Sequence, residues 1–339
     1  MDKQIVFTEV NKAEFLDVED LQLYDDCIKV KTVVSTISNG TEKANITGEQ
    51  AVSIYSKDTD PVVFPRTAGY SSSGIVVEKG KNVTKFEIGD RVAMMWSKHR
   101  GYNVVEEKHA VKINDNVSFE EAALAYISVF PMAAIRKTRV EMGESAMVMG
   151  LGTLGLISVQ LLRAAGAVPV IAVDPVKERR EKALKFGADF ALNPFEVGFT
   201  EKVKELTNGG AKVAIEVTGQ GAGLNGVLDC MAKLGRVALL GCTRNNDFTV
   251  DYYRKVHGPG ITLIGAHTLA RPNCESYPGY FTALDDMKAA MDLCAGKRID
   301  FKSMVDETHN PAECEEVFLR LATDKNFPTV VQFNWSEEK

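Results

Sequence analysis

Three glycines in Met149-Gly150-Leu151-Gly152-Thr153-Leu154-Gly155 form the most chemically informative spacing in this chain. The apolar run Ala146-Met147-Val148-Met149 leads into them, and Leu156-Ile157-Ser158-Val159-Gln160-Leu161-Leu162 continues as an almost wholly apolar helix. In that strand, turn and helix context, Gly150 permits a tight turn, Gly152 lets backbone N–H groups approach a pyrophosphate, and Gly155 lets helix and strand pack closely. Thr153 and Leu154 open a helix whose N-terminal dipole faces the phosphates of a dinucleotide. A second strand, Val168 to Val173, delivers Asp174, 24 residues beyond Gly150. A carboxylate there accepts hydrogen bonds from the adenosine ribose hydroxyls and repels a 2′-phosphate, which points to NAD. Arg179 and Arg180 nearby would suit NADP instead, but Asp174 stands at the strand end itself.

The elements that must position this turn follow from the pattern of the chain. A length of 339 residues with 45% hydrophobic and 25% charged residues is ordinary globular composition, too long for one typical domain. The formal net charge of −6 is mixed along the chain, so neither nucleic acid nor an anionic membrane is an expected partner, and a small polar molecule is. No apolar run approaches the roughly 18 residues of a membrane span. The start Met1-Asp2-Lys3-Gln4 lacks the pattern of a signal peptide, so a cytoplasmic location is expected. Cys27, Cys230, Cys242, Cys274, Cys294 and Cys314 are scattered with no C-x-x-C pair, which fits reduced thiols and argues against structural zinc.

Up to about Leu124 the chain is β-rich, with branched residues at Gln4 to Phe7, Cys27 to Ile37, Ser73 to Glu78 and Arg91 to Met95, and it reads as a barrel-like domain. Ser118 and Glu121 form a capping-box signature at the start of a linking helix. After Asp174 helices and strands alternate: Lys177 to Phe186, Phe190 to Leu192, Thr200 to Leu206, Val213 to Val217, Gly223 to Ala232, Arg236 to Leu240, then a last strand at Ile261 to Ile264. Such alternation predicts parallel strands with covering helices. A Gly/Pro-rich loop, helices at Thr282 to Leu293 and Pro311 to Leu321, and a strand at Thr329 to Phe333 complete the chain.

Gly40-Thr41-Glu42, Gly69-Tyr70-Ser71, Gly89-Asp90-Arg91-Val92, Glu120-Glu121-Ala122-Ala123, the glycine fingerprint and Gly187-Ala188-Asp189 together resemble the medium-chain dehydrogenase/reductase family of zinc alcohol and polyol dehydrogenases. The likeness spans nearly the whole chain. It implies an α/β fold with a GroES-like catalytic domain over residues 1–126, a Rossmann doubly wound NAD-binding domain over 127–267 and a return to the catalytic domain over 268–339. It implies a homodimer or homotetramer. Where the family's zinc members carry a cysteine and a His-Glu pair, this chain has Asn39, Tyr70 and Ser71, and Tyr126 stands near the further ligand position. Zinc needs thiolate, imidazole or carboxylate donors, so a zinc-free member is expected.

Without zinc, an alcohol dehydrogenase requires hydrogen-bond donors and a general base. The resemblance places Thr41 where a hydroxyl relays the substrate proton and Trp96 at an aromatic wall of the substrate pocket. It places Gly265, Ala266, His267 and Thr268 where backbone holds the carboxamide. Val217, Thr218, Leu240, Gly241 and Cys242 then border adenine and ribose, with Arg179 at the adenosine ribose. Acid, base and orienting groups are sought among Tyr70, Lys98, His99, Tyr126 and His267, while Glu42 organises hydrogen bonds around them. Asn39 is a candidate substrate contact, as is Arg271 in a polar loop that also carries Tyr252, Arg254, His257, Tyr277 and Tyr280.

Such a loop suits a polyhydroxylated substrate, since each hydroxyl entering a dry site needs a partner. The expected reaction is hydride transfer between NAD and a secondary hydroxyl of a sugar, sugar acid, cyclitol or polyol. A quinone or enoyl reductase using NADPH, a dehydrogenase of hydroxyethyl-bacteriochlorophyllide type and a non-catalytic NAD-binding protein are the alternatives.

Overall fold

The computed structural model describes residues 2–50, 52–53, 55, 60–243 and 247–336. The chain forms two compact units, one of Met1–Ile127 with Met287–Lys339 and one of Ser128–Asp286. The first begins with β1 (Asp2–Glu9), β2 (Lys12–Val18) and β3 (Cys27–Thr36), then α1 (Asn39–Ile46) and β4 (Arg66–Thr67). It continues through β5 (Ser71–Lys79), β6 (Arg91–Met95), β7 (Tyr102–Glu106), β8 (Ala110–Lys112) and α2 (Phe119–Ala122). The chain passes into the second unit within α3 (Ala125–Thr138).

The second unit contains β9 (Ala146–Met149), α4 (Thr153–Ala164), β10 (Val170–Val173), α5 (Lys177–Lys185) and β11 (Phe190–Leu192). After these come α6 (Phe199–Leu206), β12 (Ala211–Glu216), α7 (Gly221–Cys230), β13 (Met231–Leu239) and β14 (Thr262–Gly265). Its strands form one six-stranded parallel sheet in the order β11-β10-β9-β12-β13-β14. β9 and β10 are buried along their whole length, as a sheet covered by helices on both faces requires. The order reverses between β9 and β12, where ligands of such sheets bind.

The chain returns to the first unit within α8 (Ala283–Ala295), followed by β15 (Glu307–His309), α9 (Cys314–Thr323) and β16 (Val331–Asn334). There β16 pairs with β3 in a seven-stranded sheet ordered β15-β16-β3-β5-β6-β8, with β7 also on β3. Phe7, Ile37, Ile46, Phe318, Phe333 and Trp335 share one core, so the C-terminal segment completes the N-terminal unit. The capping box is present: Ser118 Oγ accepts from the Glu121 N–H, and Glu121 accepts from the Ser118 N–H.

Two features depart from the sequence reading here, one a boundary it set and one a helix it did not contain. The return to the first unit starts at Met287, not at 268, because the intervening segment is tied within the second unit. Arg271 bonds the Val129 carbonyl and pairs with Asp286, Arg136 pairs with Asp286, and Lys137 donates to the Gly265 carbonyl. The second change is α1, which the sequence does not announce. Asn-Gly-Thr-Glu-Lys-Ala-Asn-Ile is poor in helix formers, and burial of Glu42, Ala44 and Ile46 stabilises it instead. Among the described residues no helix is long and apolar enough to cross a membrane.

Candidate active site

In the first unit, α1 and the start of β5 bring together a hydrogen-bonded cluster. Ser38 caps α1, and its N–H donates to Glu42 Oε1 at 3.0 Å. The Tyr70 hydroxyl donates to Ser38 Oγ, and the Thr41 hydroxyl reaches the same phenol. Burial pushes the Tyr70 phenol above its ordinary value of 10, so it stays protonated and acts as a donor, not as a base. The Tyr70 ring meets Tyr126 edge-on at 5.6 Å and 89°, and Tyr126 packs against Trp96 at 5.3 Å and 59°. Tyr126 is buried, which makes its ring the floor under Trp96.

The turn after β6 carries Trp96, Ser97, Lys98 and His99. Gly69, at φ 91°, lets this turn lie against residues 68–70: a Cβ there would stand 2.5 Å from the His99 nitrogen. Asn103 fixes the turn from below, accepting from the Lys98 N–H at 2.7 Å and donating to the Lys98 carbonyl at 3.1 Å. The Lys98 side chain is half-buried, and among the described residues no carboxylate lies within ion-pair distance of its ammonium. Burial lowers its pKa from the usual 10.5, opposed by the field of Glu42. A lysine whose neutral form is favoured by desolvation has the chemistry of a general base.

The structure corrects four of the expected site residues. His99 is wholly buried, with Nδ1 at 2.7 Å from Ser35 Oγ and Nε2 at 2.9 Å from Glu42 Oε2, so neither ring nitrogen is left for a substrate proton. His267 accepts from the Leu269 N–H at Nδ1, which in the neutral ring puts its proton on Nε2 and leaves a donor where a base was expected. Burial, followed by the nearby Lys137, lowers its pKa and keeps it neutral. Asn39 is anchored by Nδ2, which donates to the Pro328 and Thr329 carbonyls at 2.8 and 3.1 Å, and its Oδ1 is buried out of reach of solvent, with no hydrogen-bond partner among the described residues. Arg271 spends its guanidinium on Thr268, Val129 and Asp286 within the second unit.

The glycine turn expected to receive a nucleotide lies in the second unit. Gly150 is at φ 98°, and a Cβ on Gly155 would stand 1.9 Å from the Gly150 carbonyl oxygen, so the strand-to-helix turn tolerates no side chain there. Gly152 is the N-cap of α4 with open space where its Cβ would lie, as a backbone that must admit a pyrophosphate requires. Asp174 Oδ2 accepts from the Leu151 N–H and Oδ1 from the Val176 N–H, both at 2.8 Å. The carboxylate is therefore fixed at the turn while keeping lone pairs for a ribose. Arg179 comes within 3.7 Å of Asp174, and Arg180 donates to the Asp174 and Pro175 carbonyls. Val217 and Thr218 follow β12, while Leu240, Gly241 and Cys242 follow β13 at the same end of the sheet. Ala266 and Thr268 follow β14 there.

Ser35, Ser38 and Asn103 escaped the sequence reading. Small polar residues in strands and turns carry no periodic signal, and only their long-range partners reveal them.

Residues 31–135 match the family described as alcohol dehydrogenase GroES-like domain, and residues 153–284 the family described as zinc-binding dehydrogenase. The chain is 27% identical over 300 residues to the D-guloside 3-dehydrogenase of Shigella flexneri, covering 81% of this chain and 83% of that one. An alcohol dehydrogenase of Escherichia coli CFT073 complexed with NADH superposes with a TM-score of 0.83 at 17% identity, covering 98% and 99% of the two chains. A dehydrogenase of Sinorhizobium meliloti 1021 bound to NADP superposes with a TM-score of 0.81 at 20% identity and the same coverage. At these identities the structural likenesses speak for the fold alone. The chain belongs to the medium-chain alcohol and polyol dehydrogenase family of oxidoreductases.

The family's zinc does not fit the residues present. Asn39 donates to two carbonyls, Tyr70 to Ser38, and Ser71 Oγ to the Ala123 carbonyl at 2.7 Å. None is a thiolate, imidazole or carboxylate, and Glu42 and His99 hold each other. Among the described residues no group of three or more His, Cys, Asp or Glu is placed to hold a metal ion.

Proposed function

We propose that this chain is a zinc-independent, NAD-dependent dehydrogenase acting on a secondary hydroxyl of a sugar, sugar acid, cyclitol or polyol. The observation that carries this reading is the half-buried Lys98 amine, within the field of Glu42 and on a turn whose backbone lies against Gly69, with no metal-ligand set among the described residues to replace it. When bound, the cofactor supplies the hydride acceptor. In its neutral form Lys98 takes the proton of the substrate hydroxyl, and the hydrogen-bonded Thr41, Tyr70 and Ser38 hydroxyls hold the polar side of the site in place. Trp96, over Tyr126, walls the substrate. Gly150, Gly152, Thr153, Leu154 and Gly155 would receive the pyrophosphate and Asp174 the adenosine ribose. The similarity to a D-guloside dehydrogenase supports a sugar-like substrate.

The decisive experiment adds NAD and a panel of secondary alcohols to protein freed of metal by a chelator and checked by elemental analysis. Undiminished NAD reduction with less than stoichiometric zinc is expected. One tightly held zinc per chain, whose removal abolishes turnover, would refute the metal-free reading.

Cofactor choice is tested separately. Because Asp174 faces the ribose and repels a 2′-phosphate, NAD(H) is expected to bind more tightly than NADP(H), and Asp174→Ala to narrow the gap about tenfold or more. Direct titration of both cofactors measures the ratio. The ratio is the readout because Asp174 also holds the Leu151 N–H, so its loss weakens both affinities. Tighter NADP binding to the unaltered protein overturns the assignment.

We further read the chain as a cytoplasmic homodimer or homotetramer. β14 bonds only β13 among the described strands and ends the sheet with Thr262 and Leu263 exposed.

A further inference from the structure

Trp96 combines two unfavourable features. Its backbone sits in the left-handed region at φ 61°, which side-chain-bearing residues rarely adopt, and its residue surface is 52% exposed. The preceding Met94 and Met95 and the following Ser97 are all buried, so the left-handed step turns the indole alone outward.

The surrounding bonds enforce that conformation. Asn103 clamps the Lys98 N–H and carbonyl and is itself held by Thr32 Oγ1 at 3.0 Å. The His99 N–H donates to the Ala68 carbonyl at 3.0 Å, and the His99 carbonyl accepts from the Ile5 N–H at 2.9 Å. Strain that the fold over-determines in this way, at the edge of a catalytic cluster, marks a residue placed for a ligand.

We propose that Trp96 is a stacking platform for the C–H face of a cyclic, polyhydroxylated substrate, and that it makes the protein favour ring substrates over open-chain polyols. This deepens the dehydrogenase reading and rests on it. The chemistry around the indole selects such a ring. Buried Tyr126 supports it at 5.3 Å, and Tyr70 adjoins Tyr126 at 5.6 Å with its hydroxyl in the Ser38 and Thr41 cluster. Lys98 lies two residues along the same turn. A ligand matching both surfaces needs a flat apolar face and a rim of hydroxyls. A pyranoside or cyclitol ring presents a persistent set of polarised C–H groups to the negative face of an indole. An open-chain polyol has no such fixed face, and ordering it on the ring costs rotational entropy.

The chain has two tryptophans, which makes a test without turnover possible. Trp335 is buried with its N–H bonded to Ser35 Oγ, so ligand-dependent changes in indole emission report on Trp96. Methyl glycosides and myo-inositol are titrated against D-glucitol, with and without NAD. Ring ligands are expected to shift and quench the emission, D-glucitol to leave it unchanged, and Trp96→Leu to abolish the response.

In turnover, Trp96→Leu is expected to lower kcat/KM for the best ring substrate about tenfold, chiefly through KM. Trp96→Phe should restore most of that loss. Open-chain polyols should lose less than ring substrates, so the ratio of kcat/KM for ring over open-chain substrates falls. Equal losses on ring and open-chain substrates overturn the proposal, as does emission that no ring ligand perturbs or a response to benzyl alcohol stronger than to any ring polyol. If no secondary alcohol reduces NAD, the dehydrogenase reading fails, and the fluorescence titration still decides whether Trp96 takes a ring.

Discussion

Lys98→Met is expected to lower kcat by about 10²–10⁴-fold, the usual range for loss of a general base, while NAD affinity stays near that of the unaltered protein. The sign of the pH dependence follows from the base. Lys98 accepts a proton only as the neutral amine, so kcat/KM of the unaltered protein rises as pH increases through the lysine's pKa. Burial places that pKa below the usual 10.5, which moves the rising limb toward neutral pH. In Lys98→Met the limb disappears, and small primary amines added to the buffer should restore part of the rate. Retention of near-normal turnover and of the acidic limb would move the base elsewhere. His99 and Tyr70 are poor successors, since the first has both nitrogens bonded and the second is held protonated by burial.

His99→Leu should behave in the opposite way. Removing the imidazole leaves the buried Glu42 carboxylate with the Ser38 N–H as its remaining hydrogen-bond partner among the described residues, and such a break typically costs about 3–5 kcal/mol. A midpoint shift in denaturant at an unchanged slope measures it. At temperatures where the variant is folded, the acidic limb of the pH profile should persist, because the base is untouched. Adding Glu42→Leu to His99→Leu should recover much of the lost stability, since an apolar pair needs no partner. If His99→Leu is as stable as the unaltered protein but loses the acidic limb, His99 is chemical after all and the packing seen around it is not what the working enzyme uses.

Much of this was legible in the sequence, for a local reason. The glycine turn, β6 at Arg91–Met95, β11 at Phe190–Leu192 and the Ser118–Glu121 capping box all rest on residues a few positions apart, where spacing and residue type decide the geometry. Helix α1 was illegible because its residues are poor helix formers stabilised by contacts from elsewhere in the chain.

The sequence by itself determined the nucleotide half: a strand, three glycines, a helix and Asp174 leave one turn conformation that suits a dinucleotide. Only tertiary structure decided which polar side chains are left open. Lys98 and His99 are neighbours of similar promise in the sequence, yet the left-handed step at Trp96 and the Asn103 clamp leave Lys98 half-open and bury His99 against Glu42, 57 residues away. Arg271, equally promising in a polar loop, is spent on Val129 and Asp286. Whether a polar side chain is chemical or structural depends on which distant groups have already taken its hydrogen bonds, and that accounting exists only in the folded chain.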